Sequence, residues 1–189
     1  MQEEKILEAA ENLGFTNYKI IDAQVIEYDG SFRRFCEMNY CGNYEKNYSC
    51  PPACGTFEEL KEKADRFKKA LVLQTITMVH DINDDSETRL IKKHHNQLTR
   101  KLISELEEEI QEYLPAMAGP CQLCTPCAIR EGKECVFPDK KASCLSAFCI
   151  QVNKLAEYCG FPYYCEGKVA FFSLLFFDRT AVRNKYFSQ

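Results

Sequence analysis

The chain has 189 residues, 46% hydrophobic and 28% charged, a composition that excludes intrinsic disorder and supplies enough apolar side chains for a sizeable core. Lys+Arg 24 against Asp+Glu 28 leave a net charge of -4, so no global basic field exists to hold nucleic acid or anionic lipid. Neither is expected as a partner, and what the composition leaves unexplained is twelve cysteines.

Ile6, Ala9, Ala10 and Leu13 recur at helical spacing with Gly14 after them, which predicts a short amphipathic helix and its C-terminal cap. From Tyr18 to Tyr28, Ile21, Ala23 and Val25 share one face at period two before the Asp29-Gly30 turn signal, which predicts a strand. Phe35 to Gly55 is rich in Cys, Asn, Tyr, Gly and Pro and reads as a loop that needs something to order it. Thr56 and Glu59 then make a capping box for a helix with the apolar stripe Phe57, Leu60, Ala64 and Phe67. Ala70 to Val79 is mostly aliphatic and β-branched, as in a strand buried on both faces.

After a polar break at 83–86, a helical period runs from 87 to 114 through Ile91, Leu98, Leu102, Leu106, Ile110 and Tyr113, with Pro115 as its stop. Pro120 to Pro138 is a second cysteine-rich loop. Leu145, Phe148, Cys149, Val152, Ala156 and Cys159 then mark an amphipathic helix closed by Gly160, and Lys168 to Asp178 is the last strand. The order predicts one α/β domain over 1–189: helices packed on a small mixed, partly parallel sheet, with two cysteine-rich metal-binding loops.

The start, MQEEKILEAAENLGF, carries acidic residues where a secretory signal needs a basic and then an apolar stretch. The longest apolar run, Val169 to Phe177, is about half the ~20 residues that span a bilayer. A cytoplasmic location and no membrane span are therefore expected. In that reducing compartment, clustered cysteines bind metal or do redox chemistry rather than form disulfides.

Cys121, Cys124 and Cys127 are spaced Cys-x2-Cys-x2-Cys, with Cys135 after seven further residues. One tight turn at that spacing aims three thiolates at one small volume, as in runs that seat three corners of a [4Fe-4S] cube, and a single fourth thiolate completes the cube. Structural zinc more often takes two separated Cys-x2-Cys pairs. Cys36, Cys41, Cys50 and Cys54 are spaced x4, x8 and x3, with Pro51-Pro52 after the third. This set suits a cluster and also suits a tetrahedral zinc that staples a loop without a core of its own.

These blocks resemble a known family, the predicted metal-binding proteins called domain of unknown function 2284. The likeness lies in Cys36-x4-Cys41-Gly42-Asn43-Tyr44, in Ser49-Cys50-Pro51-Pro52-Ala53-Cys54-Gly55, in Leu71-Val72-Leu73-Gln74-Thr75, and in the Cys121 to Cys135 run leading through Phe137-Pro138 to Ser143. The resemblance covers most of the chain and implies metal binding, with no catalytic residue attached. Cys144 and Cys149 depart from the pattern the resemblance implies, which has residues such as Pro, Met or Gly there, and they leave open whether this member binds further metal.

Other residues read more plainly. Cys149 and Cys159 fall on an apolar stripe as small buried hydrophobes, and Cys144 and Cys165 are candidates for an exchangeable ligand or redox thiol. His95 points into the apolar stripe of the long helix as a core histidine, and His80-Asp81 reads as a turn before it reads as an acid–base pair. Arg130 and Lys133 lie where they can offset the negative charge of a thiolate-ligated cluster. No phosphate-binding glycine loop, nucleophile elbow or HExxH motif is present.

Two functions remain open on the sequence. One is a protein with two [4Fe-4S] clusters that exchanges electrons with a redox partner protein or small-molecule substrate, neither of which the sequence names. The other is a zinc-stapled interaction module, with one zinc plus one cluster between them.

Overall fold

The computed structural model describes residues 2–107, 109, 110 and 112–178. Helix α1 (Gln2–Asn12) leads into strand β1 (Asn17–Asp22), and the first cysteine loop follows, containing the short helix α2 (Arg33–Glu37). Then come α3 (Phe57–Asp65), β2 (Lys69–Met78), α4 (Asp85–Glu105) and β3 (Tyr113–Ala116). The second cysteine loop, α5 (Val152–Cys159) and β4 (Lys168–Phe177) complete the described fold.

The four strands form one sheet in the order β1-β2-β4-β3, and every neighbouring pair is antiparallel. The expected partly parallel sheet is corrected here, and the reason lies in the topology. β2 and β3 run in the same direction and are joined by α4, as in a parallel crossover, but they are not neighbours. β4 fills the gap between them and runs against both.

The sheet is buried on both faces. Ala70 and Val72 of β2, with Phe172, Leu174 and Phe176 of β4, pack against Leu60 and Ala64 of α3 and Leu155 and Ala156 of α5. Leu71, Leu73, Leu175 and Phe177 point the other way, onto Ile6 and Ala10 of α1 and Leu102 of α4. Period-two side chains with both sets buried explain the near-continuous apolar runs, and each fully buried Leu or Phe contributes about 1.5–3 kcal/mol. Pro115 lies in β3, an edge strand, where a residue without an N–H is tolerated.

Three expected elements differ in extent. The strand expected to reach Tyr28 ends at Asp22, because its partner β2 begins at Lys69, opposite Asp22; a 3-10 turn, Ala23–Val25, follows. The helix expected over 87–114 ends at Glu105, although Leu106 and Ile110 stay buried in the same face, so the apolar period outlasts the helix; residues 108 and 111 lie outside the described ones. The helix expected from Leu145 begins only at Val152, because Cys149 takes a left-handed conformation, φ 57°, that a helix cannot include. The capping box of Thr56 and Glu59 forms as expected. Among the described residues no helix is long and apolar enough to cross a membrane.

One polar network is enclosed between α4 and the sheet. His95 Nδ1 lies 2.9 Å from Thr75 Oγ1 and Nε2 lies 3.0 Å from Ser173 Oγ, while Thr99 Oγ1 is 2.8 Å from Ser173 Oγ and donates to the His95 carbonyl at 3.1 Å. One set of hydrogens satisfies the chain: Thr75 donates to Nδ1, Nε2–H donates to Ser173, and Ser173 donates to Thr99. His95 is thus a neutral core histidine, and burial, then the charge of His94, holds its pKa down to about 3 from the usual 6.5. The unfolded chain binds the extra proton first, so stability is full above the unfolded pKa and falls as pH drops from about 6.5 toward about 3. Denaturant titrations across that window are expected to show this slope in the wild type and a flatter one in His95→Gln; equal slopes would remove His95 as the cause.

Candidate metal centre

The first cysteine loop starts where Asp29 caps the 3-10 turn Gly30–Phe32 by accepting from Ser31 N–H, and this leads directly into α2 with Cys36 in it. At the other end, Cys54 N–H donates to the Cys50 carbonyl at 3.0 Å, so one tight turn brings these two thiols together. Gly55 follows at φ +102, and a Cβ there would meet Glu59 Oε2 at 2.5 Å, so only glycine lets the loop pass straight into the capped start of α3. Cys50 is buried, Cys36 and Cys54 are half-buried, and Cys41 is exposed.

In the second loop, a 3-10 turn, Ala128–Glu131, follows Cys127, and Cys124 sulfur accepts a hydrogen bond from Ala128 N–H. Cys121, Cys124, Cys127 and Cys135 all line one small pocket, walled on its other side by Asn47, Tyr48 and Ser49 of the first loop. Its free volume is about 10 Å³, enough for one ion. Cys121, Cys124 and Cys127 also line an adjoining cleft of about 600 Å³.

The two loops are bonded into one unit. Asn47 Nδ2 donates to the Cys121 carbonyl at 2.9 Å, Cys121 N–H donates to Ser49 Oγ at 2.8 Å, and Ser49 Oγ donates back to Asn47 Oδ1 at 2.9 Å. Tyr48 hydroxyl donates to the Lys133 carbonyl at 2.8 Å, and Arg130 donates to the carbonyls of Lys46 and Gly42 at 3.3 and 3.2 Å. Arg130 therefore joins the loops and lines the cleft, whereas Lys133 pairs with Glu131 at 2.6 Å.

Burial governs the electrostatics. It pushes the Cys36 thiol up, opposed by Arg33 and reinforced by Cys41, Cys54 and Glu37. Cys50 is raised by burial first and then by Cys144, with Cys41 and Cys54 adding to it against a hydrogen bond from Ser49. Thiolate ligation at such sulfurs releases protons, because the neutral thiol is favoured until a cation replaces the hydrogen. Among the described residues, no group of three or more His, Cys, Asp or Glu is already arranged to hold a metal ion. The donor set nonetheless fits a thiophilic centre: soft sulfur ligands, one four-thiol pocket and a half-buried guanidinium beside the other set.

That cation is Arg33, which sequence reasoning missed. Its Nη1 is 4.0 Å from Cys54 Sγ, Nη2 donates to the Ala147 carbonyl at 3.0 Å, and Nε is buried with no hydrogen-bond partner. Its one signal in the sequence is a basic residue one helical turn before Cys36. The second omission is that Cys144 lies against the first loop, a contact that no spacing encodes. Cys159 packs in the core as expected, Cys149 is buried at its turn and Cys165 is half-buried. His80 bonds to Glu87 at 2.9 Å and Asp81 to Asn83, so they form no acid–base pair with each other.

An antiparallel sheet covered on both faces carries two interlocked cysteine loops, and among the described residues these are the densest gathering of metal-ligating side chains, as in a thiol-rich metal-binding class of protein. The chain belongs to the family described as predicted metal-binding protein, DUF2284, whose profile spans residues 19–177 and so includes both loops. No curated protein and no solved structure matches it. Asn47→Ala is expected to cost about 1–3 kcal/mol, because it leaves the Cys121 carbonyl and the Ser49 groups without their partner. Chemical denaturation checks this, and an unchanged midpoint would mean that the loops are held together by other contacts.

Proposed function

We propose that this chain is a cytoplasmic electron carrier with two [4Fe-4S] clusters, the whole of 1–189 acting as one metal-binding domain. Cys121, Cys124, Cys127 and Cys135 hold one cluster, and the first loop, with Cys36, Cys41, Cys50 and Cys54, holds the other. The observation that carries the reading is the convergence of Cys121, Cys124, Cys127 and Cys135 on one pocket, at a spacing that suits three corners of a cube and a separate fourth.

The cluster supplies reversible one-electron storage when bound. The chain's own groups do the rest. The cysteine thiolates would hold the iron, and Ala128 N–H beside Cys124 and the Arg33 guanidinium beside Cys54 would stabilise added negative charge. A cluster held there would exchange single electrons with a redox partner protein or small-molecule substrate. The cleft beside Cys121, Cys124 and Cys127 is the route of approach.

The tightness of the second-loop pocket favours a second reading, a zinc ion in place of a cluster, with metal serving to order the loops. Iron, acid-labile sulfide and zinc per chain, measured on anaerobically purified protein with its visible spectrum, separate the two. About eight iron and eight sulfide with a broad absorption near roughly 400 nm are expected. Colourless protein with about two zinc and no sulfide would overturn the redox reading; about one zinc with about four iron would reduce it to a single cluster.

A further inference from the structure

Residues 144–149 form a tight turn that reaches the first cysteine loop. It is pinned at both ends: Leu145 N–H donates to the Met117 carbonyl and Met117 N–H to that of Ser143, while Asp29 N–H donates to the Cys149 carbonyl and Gln151 N–H to that of Glu27, all within 2.9–3.0 Å. Met117 leads into the second cysteine loop and Asp29 into the first, so the turn lies between the roots of both. Two contacts run from it to first-loop thiols. Cys36 Sγ is 4.0 Å from the Ser146 carbonyl, and Arg33 spans Cys54 Sγ and the Ala147 carbonyl.

Cys144 is 8% exposed, and its sulfur accepts hydrogen bonds from the backbone N–H groups of Ser146 and Ala147. Two such donors on one enclosed sulfur stabilise a thiolate, an arrangement that suits a metal ligand and that a space-filling cysteine does not need. Cys54 packs against the core cluster that contains Cys144, and the turn that Cys144 opens touches Cys36 directly and Cys54 through Arg33. Cys149, on the same turn, instead bonds to Arg33. Cys41 is exposed and faces the cleft alongside Cys121, Cys124 and Cys127.

We propose that Cys144 is a ligand of the first-loop metal centre, completing a set of four with Cys36, Cys50 and Cys54, and that Cys41 stands outside that set on the cleft wall. The inference rests on the reading that the first loop holds metal, and it redraws that centre's ligands whether the metal is a cluster or zinc, since both take four thiolates.

The test compares metal and sulfide per chain, with visible and paramagnetic resonance spectra, in the wild type and in Cys36→Ala, Cys144→Ser, Cys41→Ser and Cys159→Ala. Cys36→Ala is expected to lose one centre. Cys144→Ser is expected to lose it too, or to keep it with a shifted spectrum from oxygen ligation, while Cys41→Ser and Cys159→Ala keep all their metal. Cys159 belongs to the same core cluster as Cys144 and controls for the loss of a buried thiol. Full metal with an unaltered spectrum in Cys144→Ser overturns the inference, and so does loss of a centre in Cys41→Ser or in Cys159→Ala. Undiminished metal in Cys36→Ala overturns the reading of the first loop itself, a result distinct from Cys36→Ala losing metal that Cys144→Ser retains. Should Cys144→Ser fail to fold, Cys41→Ser, altered at an exposed position, still decides: a full complement leaves three loop thiols and calls for a ligand from outside the loop.

Discussion

β2 and β4 pair along ten residues each, from Lys69 opposite Phe177 to Met78 opposite Lys168, with apolar side chains on both faces through most of that length. Two buried faces require two covering layers, so α1 and α4 must lie on one side and α3, α5 and the 144–150 turn on the other. The cysteine loops are the segments left over once those layers are placed. They are polar, carry little core of their own, and are held by hydrogen bonds to each other.

This division explains why the 144–150 turn matters out of proportion to its length. It is part of the covering layer, through Leu145, Ala147 and Phe148, and it is also the floor beneath Cys36 and Cys54. A rigid, buried floor beneath a loop is how a fold limits the positions a ligand can take, and Arg33 adds to it by bonding the floor to a loop thiol. Packing and the candidate site therefore meet in the same few residues.

What could be read from the chain depended on whether the deciding contact was local. The Thr56–Glu59 box and the β2 run are local, and each appears in the structure where the sequence puts it, β2 to within one residue. The antiparallel sheet was not legible, because β2-α4-β3 has the pattern of a parallel crossover and nothing near it announces that β4 will occupy the gap. Nor was the turn at Cys149, since a left-handed cysteine carries none of the glycine signal that marks such a position. Arg33, and the place of Cys144 beside the first loop, escaped for the same reason. Their partners are distant in sequence, and only the folded layers bring them together.

Because β4 sits between β2 and β3 yet follows both in the chain, the sheet has no continuous middle until residues 168–177 have been synthesised and inserted. All twelve cysteines precede that strand. During translation every thiol is therefore made before the scaffold that will orient it exists, on a nascent chain whose central hydrogen-bonding edges are still open. On the proposed reading, metal is therefore loaded in its final geometry only after β4 has been made and inserted between β2 and β3.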